Sequence, residues 1–568
     1  MKRSLLFLLF IATVLTVYGF PPVAKQPPAV PPPAVVTYHN DNGRTGQNLK
    51  ETILTTTNVN TTTFGKIFSY AVDGNIYAQP LYVPNVTING STHNVVYVVT
   101  ENDSVYAFDA DSATINPNPL WFTPLTSPPT VIAQPCLDHK KACTIYPNLG
   151  ITGTPAISLA TNTMYFVVRT KEIVNGNTTN PYYFQRLHAL DITTGAERPG
   201  SPATICGDYY RTGMGCLFSS GLFNPLDDGQ RPGLLLEPTP GFTQAVLWIG
   251  FSGNGIVLAY DPTTLALLGD WTTTPHPRHT TGGGGIWGSG GGLTGDANGN
   301  VFVSVGDGTF DVNVGGNNYG DSVVKLNLVA NGTGGYQIQV KDYFTPPDEA
   351  CRQTSDTDLG SSGPMLLPPQ AGAVPNLLLI GGKGNVPACD SANPFYLINA
   401  DNMGGLGGGV QEVVGPAAGY WSNPAYFSPG PMNNLYYGGT VSNSAGDSLR
   451  EYRITNGVIS PAASISKTAA VYLASPTPSI SANGTKQGIV WVSERPNMID
   501  DEKGAVPAVL HAYPTINLRT ELYNSNMNVT RDQAGAAVKF GVPTVVNGKV
   551  YIGTQTELDV YGLCPCPQ

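Results

Sequence analysis

The segment GDGTFDVNVGGNNYGDS, Gly306 to Ser322, gathers Asp307, Asp311, Asn313, Asn317, Asn318 and Asp321 on one glycine-rich loop. Carboxylate and amide oxygens of this kind are the hard ligands that Ca²⁺ takes. The spacing is not that of an EF-hand, however, and Asp and Asn are equally good turn formers. Just upstream, TTGGGGIWGSGGGLTGD sets Trp287 among glycines. Its indole either stacks on a flat ligand such as a quinone or a sugar, or packs. Two Gly-x-Gly-x-x-Gly matches, Gly283/Gly285/Gly288 and Gly290/Gly292/Gly295, do not open a helix after a buried strand, so a dinucleotide site is rejected. Arg531, Asp532 and Gln533 in TRDQAG, and Asp41 and Arg44 in HNDNGRTGQ, either meet a polar ligand or tie neighbouring elements together. His276 and His279 form a His-x-x-His on a Pro-broken loop with no third ligand nearby, which favours surface histidines over a metal site.

These residues are positioned by a repeat. The phrase VYAFD at Val105 returns as LHALD at Leu187, VLAYD at Val257, VVKLN at Val323, FYLIN at Phe395, LREYR at Leu449, LHAYP at Leu510 and LDVYG at Leu558, giving eight copies. Each follows a second apolar run, such as VVYVV or VLWIG, across a polar turn, which is a hairpin signal. Third and fourth short runs flank most hairpins. Eight units of four antiparallel strands predict an all-β fold, an eight-bladed β-propeller. The eighth unit ends without a fourth strand, while FGKIFSYAVD, Phe64 to Asp73, precedes the first without a local partner. The N-terminal strand is therefore expected to complete the last blade and remove an open edge. In such a ring Arg531 to Gln533, ahead of the innermost strand of blade eight, are expected at one mouth of the channel.

The chain has 568 residues, 66 glycines, 48 prolines and only 12% charged residues, a composition of short strands and many turns. Lys2 and Arg3 precede an apolar run from Leu5 to Val17, which is shorter than the ~20 residues of a membrane span and reads as a cleaved signal peptide. The expected organisation is a signal peptide over 1–20, a Pro-rich linker over 21–37, the propeller over 38–563 and a tail over 564–568. No later segment is expected to span a membrane, and the chain is expected to be secreted. Sequons at Asn60, Asn85, Asn89, Asn102, Asn177, Asn331, Asn483 and Asn528 are candidate glycosylation sites. Eight cysteines behind a signal peptide argue for disulfides, with proximity pairing Cys136 to Cys143 and Cys206 to Cys216, and Cys351 plausibly to Cys389. CLDHKKAC could instead hold a metal through His139. A net charge of -10 with no basic cluster beyond the signal makes nucleic acid an improbable partner. The expected partner is an extracellular small molecule, a glycan or a protein.

The phrases YAFDAD, AYDPTTLALLGDW, YHNDNGRTGQN, IWGSGGG and TRDQAGAAVKFGVPTVVNGKVYIG resemble secreted proteins built from pyrroloquinoline quinone (PQQ)-binding-like β-propeller repeats. The resemblance covers residues 38 to 563 and implies the quinoprotein alcohol dehydrogenase-like propeller. In the true dehydrogenases that family implies a Trp beneath the quinone, a vicinal Cys-Cys disulfide over it, Ca²⁺ held by Glu, Asn and Asp, and a carboxylate base. No vicinal cysteine pair exists in this chain, and no haem-attachment Cys-x-x-Cys-His is recognisable. Two readings follow. One is a non-catalytic propeller binding a carbohydrate or envelope polymer at its channel mouth. The other is a PQQ- and Ca²⁺-dependent dehydrogenase of alcohols or sugars, with Trp287 stacking, the Asp307 to Asp321 loop near the metal, and Arg531 or Asp532 at the reacting centre.

Overall fold

The strand phrases owe their composition to burial. Every residue of Val246–Phe251, Ile256–Tyr260 and Leu377–Gly381 is buried, because each sheet is covered on both faces and such strands read as unbroken apolar runs. Outer strands meet solvent and alternate instead, as Trp121–Pro124 does. The computed structural model describes residues 32–112, 117–139, 143–209, 215–275, 283–383, 395–413, 421–430, 432–438, 440–442, 445–446, 448–462, 464–466, 476–496 and 506–564. The expected signal peptide, most of the Pro-rich segment, His276, His279, Cys389 and Cys566 lie outside them.

Eight mainly antiparallel sheets follow one another as the blades of a ring. Blade one is Leu81–Ile88, Ser91–Val99, Ser104–Asp109 and Trp121–Pro124, and its third strand is the recurring phrase. Blades two to seven repeat that order, from inner to outer strand. The uniform count of four does not hold: blade two has six strands, and blades four, six and seven have five. In blade seven the extra strand is a short segment at the open edge, Gln47–Asn48, which pairs in parallel with the inner strand; in blade six Val458–Ile459 and Ser464–Ile465 pair with different stretches of the same third strand. In the eighth sheet Phe64–Ala71 lies antiparallel to Glu557–Leu563, from Phe64 opposite Leu563 to Ala71 opposite Glu557. Aromatic side chains lock this sheet to blade seven, with Phe64 at 5.4 Å from Trp491 and 4.9 Å from Tyr523 between ring centres.

The segment from Val35 to Asn48 runs along the inner strands and bonds to all eight blades in turn. Val35 and Tyr82 of blade one exchange two backbone hydrogen bonds at 2.8 Å, so the folded chain begins ahead of residue 38, within the stretch read as linker. Ile157 of blade two donates to the Val36 carbonyl at 2.9 Å, and the Asn42 amide donates to Leu236 of blade three at 2.8 Å. Gly295, Leu366, Tyr426 and Ile480, in blades four to seven, donate to the carbonyls of Asn42, Gly43, Thr45 and Gly46 at 2.8 to 2.9 Å. Asn48 completes the circuit by donating to Val545 of blade eight at 2.9 Å. The inner strands are thus satisfied by a central hub.

Cys136–Cys143 and Cys206–Cys216 are bonded as expected from proximity, and Cys351 and Cys564 each take part in a disulfide. Asn85, Asn89, Asn177, Asn331 and Asn483 are exposed, whereas Asn60, Asn102 and Asn528 are half-buried. The Asn102 amide group donates to the Asp73 carbonyl and accepts from Asn148.

Candidate functional site

A cavity of about 390 Å³ is lined by Trp287, Asp307, Asp356, Asp358, Lys383, Arg231 and Trp421, among others. Its residues come from two kinds of loop that open on the same face. Loops leading into inner strands carry Arg231, Trp287, Asp356, Asp358 and Trp421. Loops after second strands carry Asp307, following Val301–Ser304, and Lys383, following Leu377–Gly381. The backbone must approach closely for this. A Cβ on Gly306 would stand 2.9 Å from Trp287 Cδ1 and 3.0 Å from Asp358 Oδ1.

Asp307, Asp356 and Asp358 bring their carboxylates within 4.8 Å of one another, the one group of three His, Cys, Asp or Glu side chains so placed among the described residues. The Lys383 ammonium lies 2.7 Å from Asp356 Oδ1 and 2.5 Å from Asp358 Oδ2. The Asp307 backbone N–H donates to Asp358 Oδ1 at 2.7 Å. Burial, the hydrogen bond with Asp358 and the charges of Asp358 and Asp356 push Asp307 up to about 7. Burial works to raise Asp358 as well, but Lys383 and the hydrogen bonds from Asp307 outweigh it and hold Asp358 below the usual range. Two adjacent carboxyls are thereby driven apart, one ready to carry a proton and one ionised, which is how a site divides acid and base roles.

Two further cations line the cavity. The Arg231 guanidinium lies 5.0 Å from the centre of the Trp287 ring and donates to Thr144 Oγ1 at 2.7 Å, while Lys539 donates to the Thr144 carbonyl. A small annex shares His139, Thr144, Arg231 and Trp287 with the cavity and is walled by Cys136. The bonded cysteines of CLDHKKAC therefore stand at this site as a disulfide, and His139 is turned to the Asp227 carbonyl at 3.0 Å.

Of the described residues singled out in the sequence, Trp287, Asp307 and His139 line the cavity, and Asp311, Asn313, Asn317, Asp321, Asp41, Arg44 and Arg531 to Gln533 do not. Asp311 accepts the Asn318 N–H at 2.9 Å and its side-chain amide at 2.6 Å, which closes the loop on itself. Asn313 and Asn317 are exposed, and Asp321 is buried, accepting the Leu359 N–H at 2.9 Å. Arg531, Asp532 and Gln533 are not at the cavity. Arg531 bonds Asp532 at 2.6 Å and the Phe64 carbonyl at 3.0 Å. Lys66 donates to Asp532 and to the Gln533 carbonyl, so this triplet fastens the strand Phe64–Ala71 to the segment that leads from blade seven into blade eight. Arg44 is buried in the hub and donates to the carbonyls of Leu293, Tyr38 and Leu234 at 2.8, 3.0 and 3.2 Å. Asp41 accepts the Thr45 N–H at 3.1 Å within that hub. Asp356, Asp358, Lys383 and Arg231 escaped the sequence reading. One signal was present: GDG at Gly306 and GKG at Gly382 each set a charged residue between glycines after a second strand.

The chain shares its fold with quinoprotein dehydrogenases. Quinohemoprotein alcohol dehydrogenase from Comamonas testosteroni matches with a TM-score of 0.57 and 14% identity over 94% of this chain and 82% of that one. Quinohemoprotein alcohol dehydrogenase ADHIIG from Pseudomonas putida HK5 matches with a TM-score of 0.55 and 14% identity over 94% and 81%. At this identity the likeness establishes the propeller fold. No protein-family model and no curated protein sequence matches the chain.

Proposed function

We propose that the chain is a quinone-dependent dehydrogenase of the propeller type, using PQQ with a divalent cation such as Ca²⁺ to oxidise an alcohol or a sugar. The observation that carries this is the convergence of Trp287, three carboxylates and Lys383 on one cavity. Its volume of about 390 Å³ falls in the range of small-molecule sites. The residues fit the group: Arg231, Lys383 and Lys539 answer a polyanionic ring, Trp287 offers a flat face, and Asp307, Asp356 and Asp358 are hard oxygen donors. When bound, the quinone would supply the two-electron acceptor. The chain itself contributes the proton chemistry, because Asp307, pushed up to about 7, has the proton affinity to accept the hydroxyl proton of the substrate at a carboxylate oxygen, while Asp358, held ionised by Lys383, is the weaker base and is suited to a cation. Once it holds that proton, Asp307 also limits the negative charge in the cluster.

A second reading, a non-catalytic propeller that binds a carbohydrate or an envelope polymer at the same mouth, is favoured by Arg231, whose guanidinium already covers a face of Trp287. Dye reduction with PQQ, Ca²⁺ and a panel of alcohols and sugars separates the two. Turnover supports the dehydrogenase, and its absence with saturable glycan binding supports the second.

In either reading the protein acts outside the cytoplasm after signal cleavage, and its exposed sequons carry glycans. The disulfides and the five exposed sequon asparagines support this. The pairing of Phe64–Ala71 with Glu557–Leu563 acts as the clasp that closes the ring. Among the described residues no helix is long and apolar enough to cross a membrane.

A further inference from the structure

Blades one and two treat the seam to the next blade differently. In blade one the Leu120 N–H donates to the Ala107 carbonyl at 2.7 Å, and the next residue, Trp121, reaches across to blade two. Its indole Nε1–H donates to the Ile192 carbonyl at 3.0 Å, which also accepts the Tyr97 hydroxyl at 3.0 Å. The ring covers Gly195, where a Cβ would meet it at 2.5 Å; with φ at +71° that position suits glycine twice over.

Blade two repeats this register without the ring. The Arg198 N–H donates to the Ala189 carbonyl at 2.8 Å, so the next residue, Pro199, stands where Trp121 stands. The turn DITTGA of blade two becomes DPTTLA in blade three, with the same bonds: Gly195 to Asp191 at 2.8 Å, and Leu265 to Asp261 at 2.9 Å. Tyr165 donates to the Pro262 carbonyl at 3.0 Å, as Tyr97 does to Ile192, but no indole joins it. Two other blades fill this position. Blade five uses Gln411, whose amide bonds Ile459 of blade six at 2.9 Å, and blade seven uses Tyr523, against Phe64.

What remains between blades two and three is a cleft of about 420 Å³ walled by Tyr165, Ala189, Pro199, Leu236, Pro262 and Leu265. It is built from loops joining first to second and third to fourth strands, hence on the face opposite the Trp287 cavity. Leu265 occupies a glycine position at φ +56°, a conformation L side chains avoid, and its buried side chain forms one wall. The charged residue at the rim, Arg198, is committed to Asp191 at 3.1 Å and to the carbonyl of Thr161 at 2.7 Å, so the cleft does not call for an anion.

We infer that this cleft binds a small flat aromatic molecule carrying an N–H or O–H donor on its edge, an indole-type ring, in the way that Trp121 occupies the neighbouring seam. The apolar walls take the ring faces, and the second lone pair of the Pro262 carbonyl takes the donor. The site is independent of the proposed dehydrogenase chemistry.

The test uses the full mature chain and free indole, with calorimetry as readout. Wild type should bind indole saturably below millimolar concentration, and naphthalene, which lacks the donor, should bind about fivefold more weakly. Pro199→Trp should abolish indole binding and raise the melting temperature by filling the cleft. If that variant fails to fold, Leu265→Phe, which keeps the backbone and fills from the other wall, should abolish binding instead. No saturable binding of indole by wild type, or binding that survives in a folded filling variant, would overturn the inference.

Discussion

The Lys383 ammonium lies 2.7 Å from Asp356 and 2.5 Å from Asp358, and so supplies the positive charge within a cluster of three carboxylates. Replacing Lys383 with Met leaves those carboxylates facing one another without a cation. Breaking one partner of a largely buried pair costs about 3 kcal/mol. Denaturant unfolding should show that loss, and millimolar Ca²⁺ should restore part of it in the variant while changing wild type less.

Stability should fall as pH rises from 5 to 8. Burial is the first cause that pushes Glu101, Asp307 and Asp559 up to about 7 and Glu237 up to about 8. A carboxyl raised above its unfolded value near 4 binds more protons folded than unfolded between those limits, so the folded state loses stability as pH climbs through that window. Asp358 and Glu557, held below the usual range, lose their contribution only at lower pH. Guanidinium midpoints at pH 5.5 and 7.5 should differ in favour of the lower pH, and Glu101→Gln should reduce the difference.

Arg44 should be the most sensitive residue of the hub. Its guanidinium donates to carbonyls on blades three and four as well as to Tyr38, and it is almost fully buried. Arg44→Met should cost about 3 kcal/mol by orphaning those acceptors, and Arg44→Lys should not rescue it, because an ammonium cannot reproduce the planar fork. Thermal unfolding and amide exchange of the inner strands would record both.

Gly306→Ala should disturb the cavity more than the fold. The added carbon would meet Trp287 and Asp358 at 2.9 and 3.0 Å, so both side chains must shift. The expected result is a loss of about tenfold in PQQ affinity with a stability cost of about 1 kcal/mol.

The ring was legible because one largely apolar phrase recurs eight times, each copy mostly buried, and because Phe64 to Ala71 had no local partner. The extra strands were not, since two-residue pairings such as Gln47–Asn48 depend on which edge happens to be open nearby. At the site, Trp287 and Asp307 stood out for local reasons, a ring among glycines and an acid-rich loop. Asp356, Asp358 and Lys383 come from other loops; the GKG at Gly382 is a local mark for Lys383, but nothing local marks Asp356 and Asp358 as converging on it. Arg531 to Gln533 looked close to a channel mouth by sequence distance. The short turns Ser525–Asn528 and Val529–Asp532 bring them instead to the outer strand beginning at Phe64.

The most direct test of the central proposal is an equilibrium titration of the mature chain with PQQ, followed by quinone absorbance, with Ca²⁺ present and with it chelated. The account predicts saturable one-to-one binding that requires Ca²⁺ and is lost in Trp287→Ala and in Asp307→Asn with Asp358→Asn. Absence of binding at micromolar quinone, or binding indifferent to Trp287 and to the carboxylates, would contradict it.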